Sequence, residues 1–309
     1  MFAVLLLVIG AALLNGPARI PLRELLLQEN RQILNLRLLR VLAAISVGSG
    51  LTVCGMVLQA ILRNSLAEPY LLGTSSGAGL AAVIAVSIGV SGLYLPFLAF
   101  FGAIISIIIV YCLAREQGRV RPESLILSGV VVSIAFHAIM VFVVSISKNE
   151  AIYGLAWWLW GSLQVLDPGL LFSVSFVVFS GVCLIYLFAQ DLNAISLGEE
   201  EAVHLGVRIE TVKKILIALV ALITSCLVSI CGIIGFVGLI VPHMMRLSLG
   251  SNHKVLIPIG CLAASIFMIT CDIISRSVAG PLEVPIGIIT ALIGAPLFFI
   301  LFKRQQKAR

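Results

Sequence analysis

Apolar runs of about twenty residues recur along almost the whole chain, broken by short polar stretches and by one long polar island. Each run is long enough to cross a hydrocarbon core of roughly 30 Å as a helix. None alternates apolar and polar residues with a period of two, so a lipid-facing barrel is excluded. The runs predict membrane helices over Met1 to Leu14, Val41 to Leu62, Tyr70 to Gly89, Leu93 to Ala114, Ser124 to Ile146 and Leu170 to Ala189, then Val255 to Ser275 and Val284 to Phe302. Met1 to Leu14 lacks a basic leading region and reads as a first membrane helix rather than a cleaved signal. The stretch Ile215 to Val241 is too long for one upright span, and glycines at 232, 235 and 238 suggest a full helix followed by a short, broken one. About ten crossings result. Arg19 to Arg40, polar and leucine-spaced, suits an interfacial segment, and Trp157, Trp158 and Trp160 are the amphipathic rings expected near headgroups.

The island, Asp191 to Lys214, carries eight charged side chains. At roughly 3 kcal/mol for each charge at a bilayer centre, burying them in lipid would cost on the order of 20 kcal/mol, so the segment is expected in water. Within it Ser196-Leu197-Gly198-Glu199 fits a capping box, with the serine bonding the third amide and the glutamate reaching back to the cap. A two-turn helix should start there, with Glu199, Glu200 and Glu201 at its positive end and Gly206 closing it in a left-handed conformation. So short a helix is marginal alone in water, which implies support from a partner surface.

Composition sharpens the class. The 309 residues are 61% hydrophobic and 11% charged, with a mean hydropathy of +1.17, well outside the range of soluble domains. The net charge of +6 comes with no aromatic-interleaved basic patch, so it speaks for topology and not for nucleic acid. Most of the twenty Lys and Arg fall on one side of the predicted membrane: Arg63; Arg115, Arg119, Arg121; Arg208, Lys213, Lys214; Arg246, Lys254; and the tail from Lys303. That side is cytoplasmic by the positive-inside rule, and both termini face it. Arg19, Arg23, Arg31, Arg37 and Arg40 gather on the other side, against the rule. Either the first helix is too weak to set orientation, or these residues, with Arg276, form an outer docking surface for an acidic partner. No linker divides the chain, which reads as one membrane domain over residues 1–309.

Candidate chemistry is sparse. There is no phosphate-binding GxxxxGK[ST] loop, and the small residues of Gly73 to Gly79 suit close helix approach. The seven cysteines are scattered without a CxxC pair, His137, His204, His243 and His253 lack metal-ligand spacing, and no Ser/His/Asp arrangement occurs, so neither a metal site nor a catalytic residue is expected. Asp272 lies one turn before Arg276 and reads as its ion-pair partner.

Seven segments together carry a resemblance: Asn35 to Arg40 (NLRLLR), Gly55 to Gly79, Leu125 to Val130 (LILSGV), Trp157 to Leu163 (WWLWGSL), Asp191 to Val207, Gly235 to Arg246 (GFVGLIVPHMMR) and Leu282 to Arg304. The chain resembles the FecCD-type, BtuC-like permease subunits of ATP-binding-cassette importers for vitamin B12, haem and iron-siderophore complexes. It departs from the family pattern at Leu39 and Ser65, where prolines are usual. The resemblance implies an all-α polytopic membrane protein with the type II importer permease fold, working by alternating access with a second permease subunit, two ATPase subunits and a substrate-binding protein. It implies no cofactor on this chain, with ATP-Mg held by the partner ATPase, and a bacterial or archaeal cytoplasmic membrane. Leu197, Gly198, Glu199, Glu200, Glu201, Ala202, His204, Leu205, Gly206 and Val207 correspond to the segment that couples to the ATPase. Arg37, Arg40 and Arg276 correspond to arginines that meet the binding protein, and Asn64 and Leu66 fall in the turn of the cytoplasmic gate. The fifth and tenth predicted helices would line the pathway, with Ser128, Ser133 and His137 as its polar candidates. The competing class is an ion-coupled secondary transporter or channel, which would need buried coupling charges that the spans offer almost nowhere beyond Asp272.

Overall fold

The computed structural model describes residues 1–16, 30–90, 92–116, 119–147, 155, 157–165, 167–278 and 282–307. Its helices are α1 (Phe2–Leu14), α2 (Arg31–Ile61), α3 (Thr74–Ser87), α4 (Tyr94–Ala114), α5 (Pro122–Ile146), α6 (Pro168–Leu187), α7 (Ala189–Leu197), α8 (Glu199–His204), α9 (Ile209–Cys231), α10 (Val237–Leu249), α11 (His253–Ser277) and α12 (Ile286–Lys307). Six of them, α2, α4, α5, α6, α9 and α11, are long and apolar enough to cross a membrane, and α1, α3, α10 and the first part of α12 are shorter apolar helices. Continuous apolar runs dictate the long helices, because backbone amides in a lipid phase must be satisfied within their own segment. For α4, α5, α6 and α11 the ends lie within two residues of those the apolar runs predict.

The core is built around α2, whose apolar stretch is 89% buried. α6, α9, α10 and α11 all pack on it. Glycines set the distance: a Cβ on Gly48 would lie 2.6 Å from the Ala264 carbonyl of α11, and one on Gly55 would clash with the Gly238 carbonyl of α10. Small residues let these backbones meet, which is how helices associate when lipid is as apolar as the side chains.

Several expectations need correction. Arg31 to Arg40 do not lie along an interface; they form the opening turns of α2, continuous with the span. Arg19 and Arg23 fall outside the described residues. The third run is not one helix: Pro69–Leu72 makes a 3-10 turn, Gly73 takes a left-handed conformation (φ 77°), and only Thr74–Ser87 is α-helical. Among the described residues the only strands are one pair of two residues each, β1 (Arg115–Glu116) and β2 (Arg119–Val120), which pair antiparallel between α4 and α5. The long run after the island divides as expected into α9 and α10, separated at 232–236, but α9 begins inside the island at Ile209.

Candidate functional site

Three polar clusters interrupt the apolar body. The first is the island, folded as a hairpin of α7 and α8 leading into α9. The capping box does not form. Ser196 is the penultimate residue of α7, and its hydroxyl donates back to the Leu192 carbonyl at 2.7 Å. Gly198 breaks the helix instead (φ 155°, ψ 156°), and the Glu201 carboxylate sits where a Cβ on Gly198 would be. Glu199 turns away from the cap to bond the Lys213 ammonium at 2.6 Å. Lys213 is 3% exposed and also donates to the Val120 carbonyl at 3.4 Å, so the island is not wholly in water: one of its charges anchors α8 to the body. The closing signal at Gly206 holds. Gly206 (φ 84°) donates to Val203 and Val207 donates to Ala202, the paired bonds of a Schellman end. The outer surface of the hairpin is unusual for a polar loop, with Leu197 71% exposed, Val203 and Leu205 also exposed, and Glu200 and Glu201 beside them. Exposed apolar patches rimmed by polar residues are found where proteins meet other proteins, membranes or ligands. A cavity of about 660 Å³ opens next to them, lined by Glu199, Glu200, Val203, Val207, Arg208 and Glu210 among others.

The second cluster lies where α2 ends. Asn64 accepts the Leu66 amide on its side-chain oxygen at 2.9 Å, an Asx turn, and Leu66 projects outward. Gln59 donates to the carbonyls of Ala67 and Gly238, each at 3.2 Å, and Arg246 donates to Gln59. Glu68 accepts the Phe236 amide at 2.7 Å and the Tyr70 hydroxyl accepts the Ile234 amide at 3.2 Å. Burial pushes the Glu68 carboxyl up from its ordinary value, partly offset by the Phe236 amide. Between the start of α3 and the break at Ile233, Ser133 and His137 of α5 line a mostly apolar cavity of about 460 Å³ with Ser75, Ser76, Met140 and Leu159. Ser128 does not join them; nine residues from His137, it lies half a turn round the helix, on the other flank. Among the six long helices α5 is the least covered within the chain.

The third cluster is at the opposite end of α11. Arg40 makes a bidentate bond to Glu283, at 2.8 and 2.6 Å, and approaches Asp272 at 3.5 Å. Asp272 pairs with Arg276 at 2.8 Å, the i, i+4 pair the spacing predicts. Arg276 also donates to the Asn15 and Ala12 carbonyls and Arg37 to those of Leu13 and Leu14, so both arginines satisfy the open C-terminal end of α1. The picture of three arginines standing free on a surface is corrected here: Arg37 is 5% exposed, Arg276 3%, and Arg40 is the one that a cavity of about 440 Å³ reaches, beside Trp157, Gln164 and Glu283. The guanidinium of Arg40 holds the Glu283 carboxyl below its usual range.

Sequence reasoning missed Gln59, Glu68, Tyr70, Asn193, Arg246 and Glu283. A glutamine within an apolar run was the available signal. Asn193 accepts both the His253 amide and a ring nitrogen at 2.8 Å and donates to Asn252 at 3.0 Å, tying α7 to the start of α11. Among the described residues no group of three His, Cys, Asp or Glu side chains could hold a metal, and every described cysteine is a free thiol.

With this geometry in place, comparison with known proteins is specific. The model of the FecCD transport family matches residues 3–304. The cobalamin import system permease protein BtuC of Halobacterium salinarum is 37% identical over 272 residues, covering 88% of this chain and 73% of its own. The Fe(3+) dicitrate transport system permease protein FecD of Escherichia coli is 33% identical over 308 residues, 96% of each chain. A metal-chelate type ABC transporter solved in an inward-facing conformation superposes with a TM-score of 0.88 at 31% identity, covering 98% of this chain and 96% of that one.

Proposed function

The chain belongs to the FecCD transport family, and from that premise we propose that it is the permease subunit of an ATP-binding-cassette importer that moves an iron-siderophore complex inward by alternating access. The observation that carries the reading is the hairpin: a six-residue helix whose exposed Val203 and flanking exposed Leu197 and Leu205 stand among acids, tied to the body by the half-buried Lys213–Glu199 pair. Six long and four shorter apolar helices fit ten crossings, in one membrane domain over residues 1–309 with both termini in the cytoplasm of a bacterial or archaeal cell. Two copies, or this chain and a close paralogue, would face each other across α5 and α12, with His137 and Ser133 toward the path. Two ATPases carrying ATP-Mg would receive Leu197 to Val207, and lipid would cover the rest.

The outer end would receive the binding protein. Of Arg37, Arg40 and Arg276, Arg40 is placed to exchange Glu283 for an acid of that protein, while the other two keep α1 seated. ATPase closure would move α8, and the move would reach the turn at Asn64 and Leu66. Co-purification tests this: the ATPase should be retained by the native chain and lost with Glu201→Arg, and full retention and coupling in that variant would remove the docking role.

A further inference from the structure

The turn that carries Asn64 and Leu66 is stitched to a break between two helices that lies far away in sequence. We propose that Glu68 is a positioning residue of the gate: with Tyr70 it clamps the 232–236 break to the 62–68 turn, so that α10 and the turn move as one piece. The inference rests on the gating reading above.

The break between α9 and α10 leaves backbone amides without helical partners inside the protein body, where each must find an acceptor. Nothing local supplies one. The Ile234 amide goes to the Tyr70 hydroxyl and the Phe236 amide to the Glu68 carboxylate, two residues that flank Pro69 just beyond the turn. Gln59, near the end of α2, donates to the Ala67 carbonyl of the turn and to the Gly238 carbonyl at the start of α10, and Arg246, about two turns further along α10, donates to it, so the turn and α10 are joined a second time through α2. The packing leaves no room to slide: a Cβ on Gly238 would lie 2.7 Å from both the Leu51 carbonyl and the Pro69 ring.

Strain sits at the two ends of this seam. Among the described residues, the non-glycine positions with positive φ are Arg63 (45°) in the turn and Phe236 (69°) at the break. Such conformations persist only where surrounding contacts over-determine them, and they concentrate at switching elements. The end of α10 leads through Asn252 and His253 to Asn193 of α7, which adjoins α8. The seam is therefore the last step of a continuous bonded route from the ATPase-facing hairpin to the turn. Glu68 acts through acceptor geometry and not through charge, since no described cation pairs with it.

The test uses the whole transporter with its ATPase in lipid nanodiscs, with Cys112 and Cys183 changed to serine and Leu66→Cys as reporter. A membrane-impermeant maleimide reads the labelling rate without nucleotide and with Mg-ATP trapped by vanadate. With Glu68 present the two rates differ; if they do not, the ATP-driven gate itself is refuted, and the inference falls with it. Glu68→Ala should shrink the nucleotide effect about tenfold, the worth of one buried hydrogen bond. Glu68→Gln, which keeps the acceptor, should restore it, and Tyr70→Phe should leave a partial effect. A native nucleotide effect in Glu68→Ala overturns the proposal, and so does a Glu68→Gln that behaves like Glu68→Ala. If Glu68→Ala does not assemble, an undiminished effect in Tyr70→Phe overturns it.

Discussion

Replacing Glu199 by glutamine should open the α8 hairpin more than removing its partner Lys213 does. Both side chains sit in one 2.6 Å ion pair, but they are buried unequally, Lys213 at 3% exposure and Glu199 at 38%. Glu199→Gln leaves a buried ammonium with no counter-charge, facing only neutral acceptors, the introduced amide oxygen and the Val120 carbonyl 3.4 Å away. Stranding a buried charge costs about 3–5 kcal/mol; since water reaches the glutamate side, about 2 kcal/mol is the discounted figure. Lys213→Met keeps the apolar stem, removes the charge and lets Glu199 turn to solvent, so its cost is about 1 kcal/mol or less. Hydrogen exchange at the amides of Ala202, Leu205, Gly206 and Val207, whose bonds close α8, reads the difference. Glu199→Gln should speed exchange about 30-fold, Lys213→Met less than about tenfold, and the double variant should fall close to Lys213→Met alone. Faster exchange in Lys213→Met than in Glu199→Gln, or strict additivity, would refute the reasoning.

Other outcomes follow from the same geometry. Gly206→Pro removes a Schellman donor and a positive φ together, so ATPase retention in pull-downs should fall as it does for Glu201→Arg. Gly55→Ala meets the Gly238 backbone and should cost about 1–3 kcal/mol, seen as a lower melting temperature in detergent, whereas Gly260→Ala meets only the flexible end of Met56 and should cost less. The Glu283 carboxyl is held below its ordinary value, so its contribution is in place above the ordinary carboxylate pKa of about 4 and is lost as pH falls through the lower folded value. The melting temperature of the native protein should drop over that acid range, and that of Glu283→Gln should drop less.

The long spans were readable because a run of some twenty apolar residues admits one structure in lipid. The Gly206 stop and the Asp272–Arg276 pair were readable because their partners lie within one helical turn. Long-range partners were not. The arginines before Val41 read as an interfacial segment on the wrong side of the membrane because the groups that two of them bond, Glu283 and the end of α1, are brought to them only by the fold. Glu68 read as part of a polar turn, since its donor is 168 positions away. The capping box failed where two local signals competed: Gly198 broke the chain after Leu197, and the lysine fourteen positions on took the glutamate that the box required.

Uptake in proteoliposomes tests the importer reading most directly, with the binding protein outside, the ATPase inside and a ferric siderophore as cargo. Accumulation should require internal ATP, stop when the ATPase is omitted, and ignore imposed proton or sodium gradients. Uptake that follows an ion gradient without the ATPase would contradict it.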